Sequence, residues 1–241
     1  MDLKDFKIKL EDIHSRIKSE LTDEINNRKP ILDGVVYAEK YLKAPIKILW
    51  LLKEAYDGDN GTGGGWDFEW LLGEGVKEFI LSHGSKATWH PIVYVSYSLQ
   101  NGFPLWDDMN YIRDMPEMTY SVQSVAFINA LKLPAMHGTK SYNSEIEKEF
   151  LKTKNFNEEQ IKLLEPQVII AGSTLHLYKD ILGLNDLEYT VYRSVHYYIK
   201  GDKLIIDAYH PGQRGVKRQN YVDDIITVVK NWKEKISKTH S

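Results

Sequence analysis

The chain has 241 residues, of which 42% are hydrophobic and 12% aromatic, enough to bury a substantial core in one large domain. Its formal net charge of -3 argues against a protein coated in positive charge for generic nucleic-acid packing, although a local basic groove needs only a few cations. The absence of cysteine excludes disulfides, thiol nucleophiles and iron–sulfur clusters.

The amino terminus and the length of the apolar runs bear on location. Residues 1–5 are charged from the start, unlike a secretory signal, and no apolar run is long enough to span a bilayer. We therefore expect a soluble, cytoplasmic protein and take it to be a monomer. His83, His90 and His137 match no metal-binding spacing, so we predict neither a metal nor a cofactor.

The first predicted element is an amphipathic helix, because apolar residues recur at helical spacing over 10–21. The apolar run 46–52 then predicts a buried strand. Its carboxyl end leads into a polar, Gly-rich stretch, residues 53–65. Open α/β sheets place their ligands at the carboxyl ends of strands, which makes this stretch a candidate site.

Three later apolar runs predict strands, each followed at once by polar or Gly-rich residues: 125–128, 168–171 and 204–206. Helical spacing predicts helices over 145–164, 175–182 and 222–232. A further strand is predicted over 189–199, paired with 203–208 through a turn at 200–202. The region 78–120 lacks clean periodicity and predicts an elaborated insert of loops and short helices.

Alternating strands and helices predict an α/β fold in one domain over residues 1–241. We expect a three-layer α/β/α sandwich with a central, mainly parallel sheet of about four to five strands. Four polar segments would then meet at one edge of the sheet: 53–65, 129–132, 172–174 and 209–218.

These segments carry a resemblance. The sequence K-E-A-Y-D-G-D at 53–59 resembles the motif G-E-A-P-G, and N-A-L-K-L-P at 129–134 resembles N-x-x-K-C. P-Q-V-I-I-A-G at 166–172 resembles P-x-x-I-V-x-L-G, and Tyr-His-Pro at 209–211 resembles Y-H-P. In this order, over roughly residues 45–75 and 122–235, the chain resembles the uracil-DNA glycosylase superfamily, nearest its iron–sulfur branch.

The chain departs from that branch at its cluster and in its pocket. Leu133 stands where a cluster cysteine would be, Lys53 and Tyr56 replace the first Gly and the Pro of the first motif, and Gly212 follows His-Pro. These changes favour a base pocket whose lining differs from that of the branch. The base that the pocket binds therefore need not be uracil.

Two residues suit cleavage of an N-glycosidic bond. Asn129 offers a donor and an acceptor that can read a pyrimidine edge, and the resemblance implies the same role. A neutral His210 can donate a hydrogen bond to the base oxygen that gains charge, with Pro211 holding its backbone. The alternatives are a capping Asn and a structural His.

The group that positions water has several candidates. Ala55 sits where other branches of the superfamily carry a catalytic Asp or Asn. Asp57 is the first choice and Glu54 the second, with Asp59 nearby, unless these carboxylates merely cap the glycine turn. Ala55 and Tyr56 are predicted to line the base pocket.

An aromatic side chain should stack on the flipped base. Trp66 and Phe68 are the candidates, and the resemblance favours Phe68; the alternative is that both belong to the core. Contacts with DNA are predicted for the loop after His210 and for the residues that follow the predicted strand 168–171. They comprise Gln213 or Arg214 as a wedge, Lys217 and Arg218 on phosphates, and Ser173 and Thr174 through helix-terminal N–H groups.

Together these residues predict a monofunctional DNA glycosylase that removes a flipped uracil-like or modified pyrimidine, such as a bulky modified cytosine of phage DNA. Repair and antiviral defence are both consistent with that activity. Two alternatives stay open: a non-catalytic nucleic-acid-binding module on the same fold, and a hydrolase of free nucleosides or nucleotides. The basic residues 214–218 argue against the second.

Overall fold

A computed structural model describes residues 1–25, 27–55, 63–83, 86–135 and 143–239. Its α-helices are α1 (Leu3–Leu21), α2 (Ala38–Leu42), α3 (Phe68–Leu72), α4 (Val76–Glu78), α5 (Lys86–Gln100), α6 (Asn143–Leu164), α7 (Leu175–Leu182) and α8 (Arg218–Thr239). A π-helix and two 3-10 helices cover Phe79–His83, Trp106–Asp108 and Pro116–Ser124. The strands are β1 (Arg28–Lys29), β2 (Gly34–Val35), β3 (Ile48–Leu52), β4 (Gly63–Gly64), β5 (Ala126–Asn129), β6 (Val168–Gly172), β7 (Thr190–Tyr192), β8 (Val195–Lys200) and β9 (Lys203–Ala208).

The described strands form a mixed seven-stranded sheet in the order β2-β5-β3-β6-β9-β8-β7, with β1 and β4 as a separate parallel pair. The four central strands run parallel, while β2 at one edge and β8 and β7 at the other pair antiparallel. The α/β class is confirmed. We expected four to five mainly parallel strands, and the described sheet has seven. The strands β2 and β7 were missed because they are too short to produce a periodic signal.

The central strands form where the sequence is continuously apolar, because each is covered on both faces. Every residue of β3, β5 and β6 is buried. Trp50 and Leu52 of β3 face one apolar cluster, which α5 and α8 complete. Leu49 and Leu51 face a second cluster with α1, α6 and α7. Side chains from helices therefore cover the central strands in both clusters.

The region 78–120 contains loops and short helices, as we expected, together with one long helix that we did not expect. It contains the 15-residue helix α5, whose side chains from Pro91 to Leu99 are largely buried in the first cluster. Pro91 inside the helix and the interspersed polar residues hide its periodicity. This helix matters for the site, because its first turns lie beside the loop that follows His210.

The other predicted elements need smaller corrections. The predicted helix 175–182 is confirmed and ends at Gly183, which has a φ of 61°. The turn between β8 and β9 is also confirmed, with Gly201 at a φ of 59°. The single strand expected over 189–199 is instead two strands, β7 and β8, because the chain reverses at Arg193, whose φ is 46°.

Candidate active site

Four strand ends come together at one edge of the sheet. The parallel strands β5, β3, β6 and β9 are neighbours, and the register places Asn129 beside Leu52 and Ala208 beside Gly172. The polar residues that follow them therefore share this edge, as the sequence predicted. The predicted residues Tyr56 and Asp57 lie outside the described residues, as does Asp59.

His210 follows β9 and is held through its backbone and its ring. Its N–H donates to Ser173 Oγ at 2.8 Å, and the N–H of Gly212 donates to its Nδ1 at 3.1 Å. Because Nδ1 accepts, the proton of the neutral ring sits on Nε2. Nε2 makes no hydrogen bond within the described part of the chain.

The surroundings of His210 favour the neutral ring. Burial lowers the pKa of the imidazole, and the positive charge of Lys53, which follows β3, lowers it further. The ring is therefore uncharged at neutral pH and presents one N–H donor. The sequence marks Lys53 only as a departure from a motif, because its electrostatic effect depends on the proximity of two strand ends.

Two glycines allow the close packing around His210. A Cβ on Gly172 would lie 3.0 Å from Cδ of Pro211, and a Cβ on Gly212 would lie 2.8 Å from Oγ1 of Thr88 in α5. The His-Pro-Gly turn is thus wedged between β6 and α5. Sequence reasoning missed Thr88, because nothing in the local pattern links α5 to this turn.

Ser173 and Thr174 use their hydroxyl groups within the fold. Ser173 has a φ of 60°, donates its N–H to Ala208 O at 2.8 Å, and accepts from His210 with its hydroxyl. Thr174 is fully buried and donates to Leu51 O at 2.9 Å. The N–H of Ser173 is therefore used within the fold, while a phosphate contact through the N–H of Thr174, which comes just before α7, stays a prediction.

Asn129 ends β5 and is only 3% exposed. Its backbone N–H donates to Asp33 Oδ2 at 2.6 Å, and its carbonyl accepts from Lys132 Nζ at 3.2 Å. Its side-chain amide makes no hydrogen bond to any residue in the described ranges. This amide is not among the fully buried polar groups that lack a partner, so it keeps some exposure and is a candidate for binding a ligand.

The aromatic candidates lie on the same side of the sheet as Asn129. Phe68 is buried and stacks on Phe127 of β5, with ring centroids 5.1 Å apart and an angle of 13° between the planes. Trp66 is partly buried, and its ring centroid lies 6.0 Å from that of Phe68. Phe68 is therefore a core residue next to the candidate site, and its stacking on a base stays a prediction.

The described part of the first motif consists of three partly buried residues after β3: Lys53, Glu54 and Ala55. The carbonyl of Ala55 accepts from Ala135 N–H at 3.0 Å, which ties this segment to the one that follows β5. Glu54 is the predicted water-positioning carboxylate that the structure describes, and it lies at the expected sheet edge.

In the loop after His210, the side chain of Gln213, one of the predicted wedge residues, bonds to the backbone of the loop itself. The amide of Gln213 accepts from Val216 N–H at 2.7 Å and donates to Val216 O at 2.9 Å, which closes the turn. Gln213 is therefore bonded within the loop, whereas Arg214, the other predicted wedge residue, is exposed.

The predicted phosphate-binding cations are exposed. Arg214, Lys217 and Arg218 pair with no carboxylate among the described residues. A pocket of about 240 Å³ lies between this loop, the first turns of α5 and the start of α8. Besides burial, the charges of Arg218 and Lys86 lower the pKa of His90, which places a further cation, Lys86, in this neighbourhood.

The described residues contain no group of three or more His, Asp or Glu side chains able to hold a metal ion. Within the same ranges, every helix is too short or too polar to cross a membrane. Comparison of the sequence with known protein families and with curated proteins finds no match.

Proposed function

We propose that the chain is a monofunctional DNA glycosylase with the three-layer α/β/α architecture of the uracil-DNA glycosylase superfamily, which it resembles. It hydrolyses the N-glycosidic bond of a flipped uracil-like or modified pyrimidine and leaves an abasic site. The supporting observation is the tautomer of His210, whose Nε2–H is presented at the same sheet edge as Asn129. The proposed partner is DNA, bound by a cytoplasmic monomer.

The reaction determines what these groups do. Water attacks C1′ of the sugar, a C–O bond forms, and the C–N bond breaks with its electron pair passing to the base. Negative charge builds on the base oxygen, and an N–H donor aimed at that oxygen stabilises it. His210 supplies the donor without having to lose or gain a proton, because its lowered pKa keeps it neutral.

Asn129 supplies recognition of the base. Its amide can accept from N3–H and donate to O4 of a uracil-type edge. Rotated by about 180°, it can accept from N4–H and donate to N3 of a cytosine-type edge. No described side chain holds it in either orientation, which supports a range that includes modified cytosines.

Contact with DNA comes from the loop after His210. Arg214 is placed to fill the gap left by the flipped base, and Lys217, Arg218 and Lys86 are placed to neutralise phosphates. Exposed cations that pair with no carboxylate among the described residues are available for this task. The water-positioning carboxylate is Asp57 or Glu54.

The proposal is tested with duplexes that carry uracil, glucosylated hydroxymethylcytosine or only ordinary bases. Each duplex is incubated with the purified chain and heated in alkali, which cleaves the strand at an abasic site. We expect cleavage at a modified position, and its loss in a His210→Ala variant.

The competing assignment is a non-catalytic nucleic-acid-binding module, which the apolar Ala55 favours. Tight binding of duplex or single-stranded DNA with no alkali-labile site on any substrate would support the module and overturn the glycosylase. Release of base from free nucleotides but not from DNA would instead indicate a nucleotide hydrolase.

A further inference from the structure

A fully buried ion pair lies directly beneath Asn129. Lys132 Nζ is 2.7 Å from Asp33 Oδ1 and 2.8 Å from Oδ2, and both side chains are 0% exposed. Asp33 comes immediately before β2, and Lys132 comes three residues after β5 ends. Two segments about a hundred residues apart in the chain therefore meet at this pair.

Residues of two helices complete the hydrogen bonding of the pair. Gln160 of α6 accepts from Lys132 Nζ at 2.8 Å and donates to the carbonyl and to Oδ1 of Asp33, both at 2.9 Å. His14 Nε2 of α1 lies 2.8 Å from the same Asp33 carbonyl. Oxygens of Asp33, Gln160 and Asn129 surround Lys132 Nζ. Burial lowers the pKa of Lys132, and the charge and hydrogen bonds of Asp33 oppose that shift.

The pair holds both backbone polar groups of Asn129. Asp33 Oδ2 accepts the N–H of Asn129 at 2.6 Å, in the place where a longer β2 would supply a carbonyl. Lys132 Nζ donates to the carbonyl of Asn129 at 3.2 Å. The backbone of Asn129 is thus clamped, whereas its side-chain amide is left for a ligand.

Stability alone is a weak reason for such a pair, because apolar side chains of similar volume stabilise a core as well or better. Apolar side chains cannot, however, make directional hydrogen bonds to one particular residue. We propose that Asp33 and Lys132 are positioning residues that orient Asn129 for reading the base. The inference rests on the proposed function, since it assigns the pair to the base-reading residue.

The test is a double-mutant cycle that uses base release. The paired variant Asp33→Asn/Lys132→Met removes both charges together, so no unpaired buried charge remains, and the amide introduced at position 33 still offers an acceptor to the N–H of Asn129. We expect it to lower kcat/KM by about 10-fold, as loss of a supporting hydrogen bond does. In an Asn129→Ala background the same pair of changes should have no further effect.

A merely structural role predicts equal losses in both backgrounds, and that result would overturn the inference. Arg16→Met/Glu159→Gln removes a partly exposed ion pair between α1 and α6 and should leave kcat/KM unchanged. If the paired variant does not fold, Gln160→Met replaces it, because it loosens the network without stranding a charge. The same non-additivity with Asn129→Ala is then expected.

A second measurement does not depend on activity. Backbone hydrogen exchange at residue 129 should be faster in the paired variant by about 10-fold, since its N–H keeps only a neutral acceptor and its carbonyl is released. Exchange at Ile169 and Ile205, in β6 and β9, should not change. Unchanged exchange at residue 129 would show that the pair does not hold the backbone of Asn129, and would overturn the inference. Faster exchange in a chain that releases no base would support this role of the pair and overturn the proposed function.

Discussion

Nδ1 of His210 accepts a hydrogen bond from the backbone N–H of Gly212, with 3.1 Å between the two nitrogens. Protonation of the ring would place an N–H where this donor already points, so the geometry selects the neutral tautomer with hydrogen on Nε2. A two-residue turn therefore sets which proton the imidazole can offer. The first two predictions follow from this bond.

Removal of the imidazole should abolish most of the chemistry and leave DNA binding intact. We expect His210→Ala to lower the rate of base release by about 100- to 1000-fold, the usual loss when one donor to a developing anion is removed. Single-turnover kinetics and a gel-shift titration measure the two properties. His176→Ala, on the exposed side of α7, is the control. Equal rates in the two variants would refute the role of His210.

The rate of base release should be insensitive to pH around the ordinary pKa of histidine. Burial and then Lys53 lower the pKa of His210 below 6.5, so the ring stays neutral as the pH falls through that value. The rate should decline only at lower pH. In Lys53→Met the decline should begin at higher pH, and in the control Lys230→Met it should not move. A wild-type decline centred at or above pH 6.5 would contradict this.

Stability should depend on pH through three histidines. Burial lowers the pKa of His14, His90 and His210 below 6.5, so below that pH the unfolded chain binds more protons than the folded one. The free energy of unfolding should fall as the pH drops from this value toward the folded-state pKa values of the three histidines. Urea titrations at about pH 7.5 and about pH 5.5, above the range of ordinary carboxyl groups, measure the difference.

Substitution of the buried histidines provides the check on that trend. His90→Gln should reduce the loss of stability between the two pH values, because one group no longer titrates in the unfolded chain alone. His176→Gln, on the exposed side of α7, should leave the loss unchanged. If the free energy of unfolding falls by the same amount in the wild type and in both variants, His90 does not contribute to the pH dependence.

The contact between Gly212 and α5 should be testable by a rescue. Gly212→Ala places a Cβ about 2.8 Å from Thr88 Oγ1, which forces the turn and His210 to shift. We expect the rate of base release to fall by about 100-fold, as for a misplacement of about 1 Å. Thr88→Ala alone should have little effect, and the double variant should recover most of the rate. A double variant as slow as Gly212→Ala would show that Thr88 is not the obstacle.

The exposed cations should govern the salt dependence of DNA binding. We expect Arg214→Gln, Lys217→Gln and Arg218→Gln each to weaken duplex binding. Each should also flatten the plot of log K against log salt concentration by about 0.9. Lys230→Gln, farther along α8, is the matched control. A loss of base release at saturating DNA in Arg214→Gln alone would support its role as the wedge. If the slope of log K against log salt concentration is unchanged in all three variants, none of these cations contacts a phosphate.

The sequence was most informative where structure is local. Four continuous apolar runs located the central strands, and the polar residues after them located the site, because parallel strands end at a common edge. It was least informative about the short edge strands and about α5, whose periodicity Pro91 interrupts. These elements acquire their structure from packing against the rest of the sheet, which leaves little trace in their own residues.

The sequence by itself determined the kinds of chemical groups at the sheet edge, among them the imidazole of His210 and the amide of Asn129. Only the tertiary structure decided which groups are already occupied. The hydroxyl group of Thr174 and the amide of Gln213 are bonded within the fold, and the hydroxyl oxygen of Ser173 accepts from His210. The amide of Asn129 is left open above a buried pair from a distant segment. The physical reason is that hydrogen-bond partners come from residues far apart in the chain, which no local pattern specifies.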